Sequence, residues 1–265
     1  MEVRENLKIA VHGLRMNPLR SFLTALGVII GVAAVVIMVA IGEGAKSQVS
    51  AGIQALGSNL ITVLPGRVWE RGGGRGALGS AANLTVKTSD LLREKCTLAK
   101  AVSPEASRSM AVKASATSVT TNVIGTNPDY FAIRNYAVAS GAIFTQSDMK
   151  NRRRVAVLGA SVAEELFGGD DPVGRTIKIG NVRFKILGVL ASKGQSGFMN
   201  LDDQVFVPLT TAQRKLFGND RVRAIYIEAI DRKSLDAAFQ EVNSILYEEF
   251  RDKTKYFVRN QGEIL

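Results

Sequence analysis

From Phe22 to Ile41 the chain reads FLTALGVIIGVAAVVIMVAI, 20 consecutive residues without a charge. At 1.5 Å rise per residue such a helix is about 30 Å long, the thickness of a bilayer's hydrocarbon core. All faces of the segment are apolar and charges flank both ends, so it predicts a membrane-spanning helix rather than the buried helix of a soluble core. Ala40-Ile41-Gly42 resembles a small-x-small cleavage site. The apolar run and its leader are both longer than those of a signal peptide, however, and an uncleaved anchor is expected. Arg4, Lys8, Arg15 and Arg20 precede the span, and only Lys46, beside Glu43, lies close behind it. Positive flanks stay in the cytoplasm, which places the N-terminus inside and the residues after Gly42 outside.

Within the span, Gly27 and Gly31 stand four apart, with Ala33 and Ala34 following. Small residues at this spacing allow another helix to approach, which marks Gly27 and Gly31 as candidate helix-packing positions. Before the span, Val3, Leu7, Val11 and Leu14 recur at helical spacing with the charges largely elsewhere, as in an amphipathic segment lying at the membrane interface. Asn17-Pro18 separates the two, and proline suits the first turn of a helix.

The 265 residues carry 34 Lys+Arg against 24 Asp+Glu, a formal +10, which suits anionic partners in general. A single cysteine, Cys96, leaves no intrachain disulfide, and Cys96 is read as a small packed hydrophobe. A single histidine, His12, argues against Ser-His-Asp, Cys-His and multi-histidine zinc chemistry.

Beyond the span the helical composition continues from Gly44 to Leu56, with Gly57 as its expected cap. Asn59–Leu64 reads as a strand, Thr88-Ser89-Asp90 as the cap of a helix running to about Cys96, and Ala101–Ser103 as a strand. Ser109–Ile124 reads as a further strand with Thr/Val alternation. Near the end, Ala224–Ala229 is a strand, Ser234–Phe250 an amphipathic helix and Tyr256–Val258 a closing strand. Two strand–helix–strand units predict an open-faced α+β sandwich, with the middle of the chain inserted as a second subdomain. That middle part is β-rich: Val155–Leu158, Thr176–Ile179, Phe184–Val189 and Val205–Val207 are strand candidates, and Ser161–Phe167 is a short helix. The expected division is residues 1–20 cytoplasmic, 21–42 transmembrane and 43–265 exported. Within the exported part, about 43–125 and 209–265 form the sandwich, and about 126–208 form the insertion.

Several motifs invite a chemical reading and do not sustain it. RGGGRGALGS (Arg71–Ser80) contains Gly74-x-Gly76-x-x-Gly79, the literal pattern of a dinucleotide loop. Pro65-Gly66 separates it from the preceding strand, no helix follows directly, and no acidic residue stands about 20 positions on. It reads as an exposed loop. Arg152-Arg153-Arg154 is the sharpest charge cluster, a solvated hairpin end or a candidate contact for a partner or lipid. The pairs Glu164-Glu165 and Asp202-Asp203 lack ligand-rich surroundings, so no metal or cofactor is expected.

Longer stretches carry a resemblance. NPLRSFLTALGVIIGVAAVVIMVAIGEGAKSQV (Asn17–Val49) with ALGSNLITVLPG (Ala55–Gly66) is similar to the start of MacB-like, FtsX-type ABC transporter permeases. So are VIGTNPDYFAIRN (Val123–Asn135), RRVAVLGASVAEELFGGDDPVGRTIKIG (Arg153–Gly180), FVPLTTAQRKLFG (Phe206–Gly218) and VRNQGEIL (Val258–Leu265). The resemblance implies a periplasmic core with a porter-like part (about 43–125 and 209–265) and an inserted Sabre-like part (about 126–208). It also implies a bacterial inner-membrane location. The implied role is coupling, without enzymatic activity or cofactor in this chain, between a cytoplasmic ABC ATPase subunit and the periplasmic domain, for efflux or envelope transport. Implied partners are that ATPase, a second permease copy, a periplasmic adaptor with an outer-membrane channel, and membrane lipid, with no nucleic acid. No Walker motif occurs in the chain, and relatives continue into further spans beyond the position of Leu265, so a fragment of a longer permease is expected. The competing reading is a bitopic module that senses a ligand or scaffolds an envelope complex.

Overall fold

The computed structural model describes residues 16–55, 59–66, 84–196 and 199–260. The expected amphipathic segment with Val3, Leu7, Val11 and Leu14, the cap at Gly57, and the loop with Gly74, Gly76 and Gly79 lie outside them. Two compact units divide between Ala51 and Gly52.

The first unit is dominated by one unbroken helix, α1 (Pro18–Ala55), 38 residues long. Within it Pro18–Gly44 is long and apolar enough to cross a membrane, and none of its most apolar window is buried inside the chain. Its large apolar side chains range from 38% exposed at Leu26 to 77% at Leu19. The buried helix of a soluble core would have this surface covered, and here the chain leaves it open, as a membrane span requires. Near its start the Thr24 hydroxyl turns back onto the Arg20 and Ser21 carbonyls at 3.0 Å each. A polar group satisfied within its own helix suits a medium that offers no partner.

The second unit is built on β1 (Leu60–Pro65), helix α2 (Val86–Lys95), β2 (Ala99–Ala114) and β3 (Thr117–Thr126). Helices α3 (Asp129–Ile133) and α4 (Gln146–Lys150) follow, with β4 (Val138–Gly141) between them. Next come β5 (Val155–Leu158), α5 (Ala160–Phe167), β6 (Thr176–Ile179) and β7 (Val182–Leu190). Two dipeptide strands, β8 (Gln195–Ser196) and β9 (Met199–Asn200), pair with each other. Then β10 (Gln204–Pro208) leads into α6 (Leu209–Ala212), which continues as a π-turn through Phe217. β11 (Ala224–Ala229), α7 (Leu235–Phe250) and β12 (Tyr256–Asn260) complete the chain order.

At one end the strand order is β12-β1-β11-β2, all neighbours antiparallel. Each strand–helix–strand unit is therefore split by a strand of the other, the interleaved arrangement of two β-α-β units. Residues from β1, β11, α2 and α7 form its apolar core, including Ile61, Val63, Leu92, Ile225, Ile227, Val242 and Leu246. β2 then continues into a second sheet. It pairs with β3, β3 with β10, β10 with β5, β5 with β7, β7 with β6, and β6 again with β2. These six strands close a ring. Alternation on β6 and β7 turns Ile177, Ile179, Phe184 and Ile186 inward, all with no exposed surface, against Val112, Leu158, Val205 and Val207.

The element readings from the sequence hold with three corrections. Thr88, Ser89 and Asp90 lie inside α2, whose cap is Thr85, and the Thr88 hydroxyl accepts from the Thr85 N–H at 3.4 Å. The stretch read as one strand from Ser109 to Ile124 is a hairpin, because Ser115 adopts φ 50° and turns the chain. Arg152–Arg154 is a helix-to-strand connection between α4 and β5, not a hairpin end.

Candidate functional site: a buried polar seam and the surfaces around it

β2 changes partners in mid-strand. Through Glu105 it pairs with β11 (Glu105↔Ala224), and from Ala106 it pairs with β3 (Ala106↔Gly125). One continuous strand thus joins the two sheets, and the side chains at the changeover are polar although buried. The Tyr130 hydroxyl, from α3, donates to the Glu105 carboxylate at 2.8 Å. Tyr226 of β11 also hydrogen-bonds Glu105. Thr126 donates to the Pro104 carbonyl at 2.9 Å, and the Asn127 amide to the Val102 carbonyl at 3.0 Å. Ser103 donates to the Asn127 side-chain oxygen at 2.5 Å. The Glu105 carboxyl thus has a tyrosine hydroxyl from α3 and another from β11 as hydrogen-bond partners.

Aromatic rings surround this polar centre. Tyr130 meets Tyr226 edge-on at 5.6 Å and Phe206 at 5.8 Å, and Tyr136 lies 5.2 Å from Phe206. The Arg134 guanidinium sits 5.0 Å above the Tyr226 ring, and the Lys193 ammonium 4.5 Å from that of Tyr136. Lys193 also donates to the Arg134 carbonyl at 2.6 Å. Burial, then the Glu105 charge, holds the Tyr130 phenol well above its ordinary range. Burial likewise pushes Tyr136 up to about 12. Lys193 is lowered to about 8 by burial and then by the neighbouring Arg134 charge. Both phenols stay neutral across the physiological range, Tyr130 as a donor to Glu105 and Tyr136 as a donor to the Gln204 side-chain oxygen at 3.2 Å. The arrangement is a stitched joint: directional bonds fix how the two sheets meet, in a layer that apolar contact alone would leave free to slide.

The residues singled out from sequence lie on different elements. Gly27 and Gly31 share one face of α1, and a Cβ at either meets nothing within 4 Å. Arg152 and Arg154 are exposed. Arg153 is exposed as well, at 65% of its side chain, while it pairs with Asp148 at 3.1 Å, and its carbonyl accepts from the Thr211 hydroxyl at 3.0 Å. Burial pushes the Asp148 carboxyl up, but the Thr145 N–H and hydroxyl and the Arg153 guanidinium outweigh it, and the group titrates below its ordinary value. Cys96 is buried, and its thiol donates to Glu241 at 3.2 Å. Burial and then that carboxylate push it up to about 11, which makes it the packed residue expected. The acidic pair at 202–203 is structural: Asp202 accepts from the Ser192 hydroxyl and from the Lys193 and Gly194 N–H groups at 2.5, 2.8 and 3.0 Å. Among the described residues no group of three or more His, Cys, Asp or Glu could hold a metal.

Glu105, Tyr130, Tyr136 and Tyr226 were not found from the sequence. They lie up to 121 positions apart, and the one local hint is a Pro-Glu pair inside an otherwise strand-like run.

An apolar helix long enough to span a bilayer, followed by interleaved β-α-β units joined to a six-strand ring, describes a folded domain behind a membrane anchor. The chain belongs to the family of the MacB-like periplasmic core domain, whose model matches residues 21–245. It is 34% identical over 242 residues to the macrolide export ATP-binding/permease protein MacB of Chlorobium luteolum, covering 91% of this chain and 36% of that protein. To the protein of the same name from Azoarcus sp. it is 37% identical over 243 residues, again 91% and 36%. To that of Wolinella succinogenes it is 32% identical over 266 residues, 100% and 40%. The chain thus spans about two fifths of the length of these curated relatives. Its fold is similar to that of the crystallised periplasmic region of MacB from Actinobacillus actinomycetemcomitans. That match has a TM-score of 0.67 and 22% identity, over 80% of this chain and 93% of the other. It is also similar to the extracellular domain of the noncanonic ABC-type transporter YknZ from Gram-positive bacteria. There the TM-score is 0.63 with 20% identity, over 76% of this chain and 100% of the other.

Proposed function

We propose that this chain is the anchoring and periplasmic portion of an ABC-type export permease, which carries motion driven by a partner ATPase across the membrane to the periplasmic domain. The observation that carries the reading is α1. At 38 residues it is about 57 Å long, so it continues well past the thickness of a bilayer without a break. A rigid helix of that length transmits displacement, whereas a flexible linker would absorb it. The stitched seam supports the same reading, because a domain that receives a push at one point must not shear within itself. In this reading the chain performs no chemistry, and ATP is hydrolysed by the cytoplasmic subunit.

The flanking charges favour an N-terminus in the cytoplasm of a bacterial cell and the outer unit in the periplasm. Gly27 and Gly31 offer a close-approach face for a further helix of the same permease or of a second copy. Exposed Arg152, Arg153 and Arg154 are candidates for contact with a partner, an adaptor among them. Reporter fusions at Gly73 and after Leu265 test the orientation: periplasmic reporters should be active at both points, and activity of cytoplasmic reporters there would refute it. Crosslinking from residue 20 should capture the ATPase subunit in native membranes, and its absence from every adduct would count against the transport reading.

A further inference from the structure

Two open grooves flank β12, and they differ in charge. The smaller, about 570 Å³, is lined by amides, hydroxyls and aromatic rings, with Lys253 as its one cation. The larger, about 1080 Å³, has four arginines, Arg108, Arg221, Arg223 and Arg259, and no aspartate or glutamate among the described residues that line it. They come from three places: β2, the stretch entering β11, and β12. None of the four takes part in an ion pair among the described residues, whereas Arg93, Lys95, Lys100, Arg153 and Arg175 all do. What sets the four apart is that one groove gathers them.

The rest of the lining supplies an apolar bed. Leu84, Phe217 and Tyr256 are buried side chains of its wall, and Phe257 stands 56% exposed at its rim. The Arg108 guanidinium lies 5.5 Å from the Phe217 ring centre and reaches the Phe217 carbonyl at 3.5 Å, which holds its fork in place. Ser107, also in the lining, has a buried hydroxyl without a hydrogen-bond partner among the described residues. A guanidinium fork matches the paired oxygens of a carboxylate, phosphate or sulfonate, and an apolar bed of this size suits a ligand of drug-like bulk. Residues 67–83 connect Gly66 and Leu84, both in the lining, but carry Arg67, Arg71 and Arg75 against Glu70. That connection offers no acidic run to neutralise the arginines.

We propose that this groove binds an amphipathic anion, a single molecule with an apolar or aromatic body and one anionic head. The site does not depend on the transport reading. Its test uses residues 52–265, which hold all three apolar core clusters without any residue from before Ile61. The probes are 8-anilinonaphthalene-1-sulfonate and its uncharged counterpart N-phenyl-1-naphthylamine, which lacks only the sulfonate. Calorimetry should find one sulfonate probe per domain, bound at least about tenfold more tightly than the neutral one. The double change Arg221→Gln, Arg259→Gln alters two exposed side chains and should weaken the sulfonate at least about tenfold while leaving the neutral probe unchanged. Phe257→Ala should weaken both. Displacement by phosphatidylglycerol but not phosphatidylcholine vesicles would assign the natural ligand to bilayer lipid, and no displacement would assign it to a solute. The proposal is overturned if the double variant, with an unchanged circular dichroism spectrum, binds the sulfonate as the parent does. Equal affinity for the two probes would also overturn it.

Discussion

The interior of the six-strand ring and the seam where it joins the interleaved sheet are equally dry but built on opposite terms. Inside the ring, shape and volume do the work: Val112, Ile177, Phe184, Ile186 and Val205 are completely covered and none carries a polar atom. Thr121, between Val119 and Val123 on β3, is an exception, and its buried hydroxyl has no partner. At the seam, Ser103, Glu105, Thr126 and Asn127 are just as buried, and each is hydrogen-bonded. Apolar contact is non-directional, so a ring of this kind should accept a change of shape that keeps its volume. A hydrogen-bonded carboxylate is directional, so the seam should not. The difference teaches where the domain is adaptable and where its geometry is fixed.

The largest expected effect lies in the ring. Phe184→Ala should cost about 3–5 kcal/mol of unfolding free energy, while Phe184→Leu should cost under about 1.5 kcal/mol. Urea denaturation of residues 52–265 reads both, and similar losses for the two would break the claim that volume alone matters there. At the seam, Glu105→Ala should cost about 2–4 kcal/mol by leaving the Tyr130 and Tyr226 hydroxyls without their acceptor. Here a volume-keeping change gives no rescue: Glu105→Leu should be nearly as damaging. Stability close to the parent in Glu105→Leu would place the seam in the same class as the ring.

Gly125 sharpens the boundary between the two. It pairs with Ala106, the first residue of β2 past the changeover, and a Cβ there would lie 2.5 Å from that of Ala212. Gly125→Ala must therefore push α6 off β3, at about 1–3 kcal/mol, and a Gly125→Ala, Ala212→Gly pair should recover part of the loss. Full stability of the single variant would mean that α6 is not packed as described.

The smallest effect is expected at Glu241 on α7, which clasps the turn before β2. It accepts from the Thr97 N–H and hydroxyl at 2.9 Å each and from the Leu98 N–H at 3.1 Å. Burial pushes its carboxyl up, yet these bonds and the Cys96 thiol prevail and hold it below its ordinary 4.5. A carboxyl lowered on folding contributes stability that is complete above its unfolded value and disappears as the pH falls through the folded one. Glu241 and Asp148, whose ordinary value is 3.8, should thus add an acid-side loss of stability beginning below about pH 4.5. Glu241→Gln should cost about 1 kcal/mol near neutrality and flatten that acid limb. An unchanged limb would assign it to other carboxylates.

Much of the fold was legible because its signals are local. The 20 apolar residues of α1, the alternation in Thr176–Ile179, and the apolar run Val155–Leu158 each declare themselves within one window. Two separated strand–helix–strand patterns pointed to the α+β sandwich, whereas the interleaving of their strands has no local signal. Closure of the ring was not legible, since β6 meets β2 across more than 60 positions and no residue marks the pairing. The short helices α3 and α4 were missed for a related reason: at five residues each, they are held by tertiary contact rather than by their own periodicity. The seam was invisible because its members are single polar residues scattered through apolar runs. The arginine groove was invisible too, with Arg108 and Arg259 distant in sequence and Arg221 and Arg223 merely alternate residues in a loop. Conversely, the Arg152–Arg154 run drew attention by adjacency, yet its middle member is occupied with Asp148.

The central claim is mechanical, that an unbroken α1 carries movement into the outer domain. It is tested most directly in the full-length permease, with its ATPase, by inserting Gly-Ser-Gly-Ser between Gly44 and Ala45 and measuring ATP hydrolysis and substrate export side by side. A four-residue insertion of alanines at the same place serves as the rigid control. The account predicts that the flexible insert leaves ATP hydrolysis near the parent rate and abolishes export, while the alanine insert retains measurable export. Undiminished export with the flexible insert would contradict it, because movement would then be reaching the periplasm without a rigid α1.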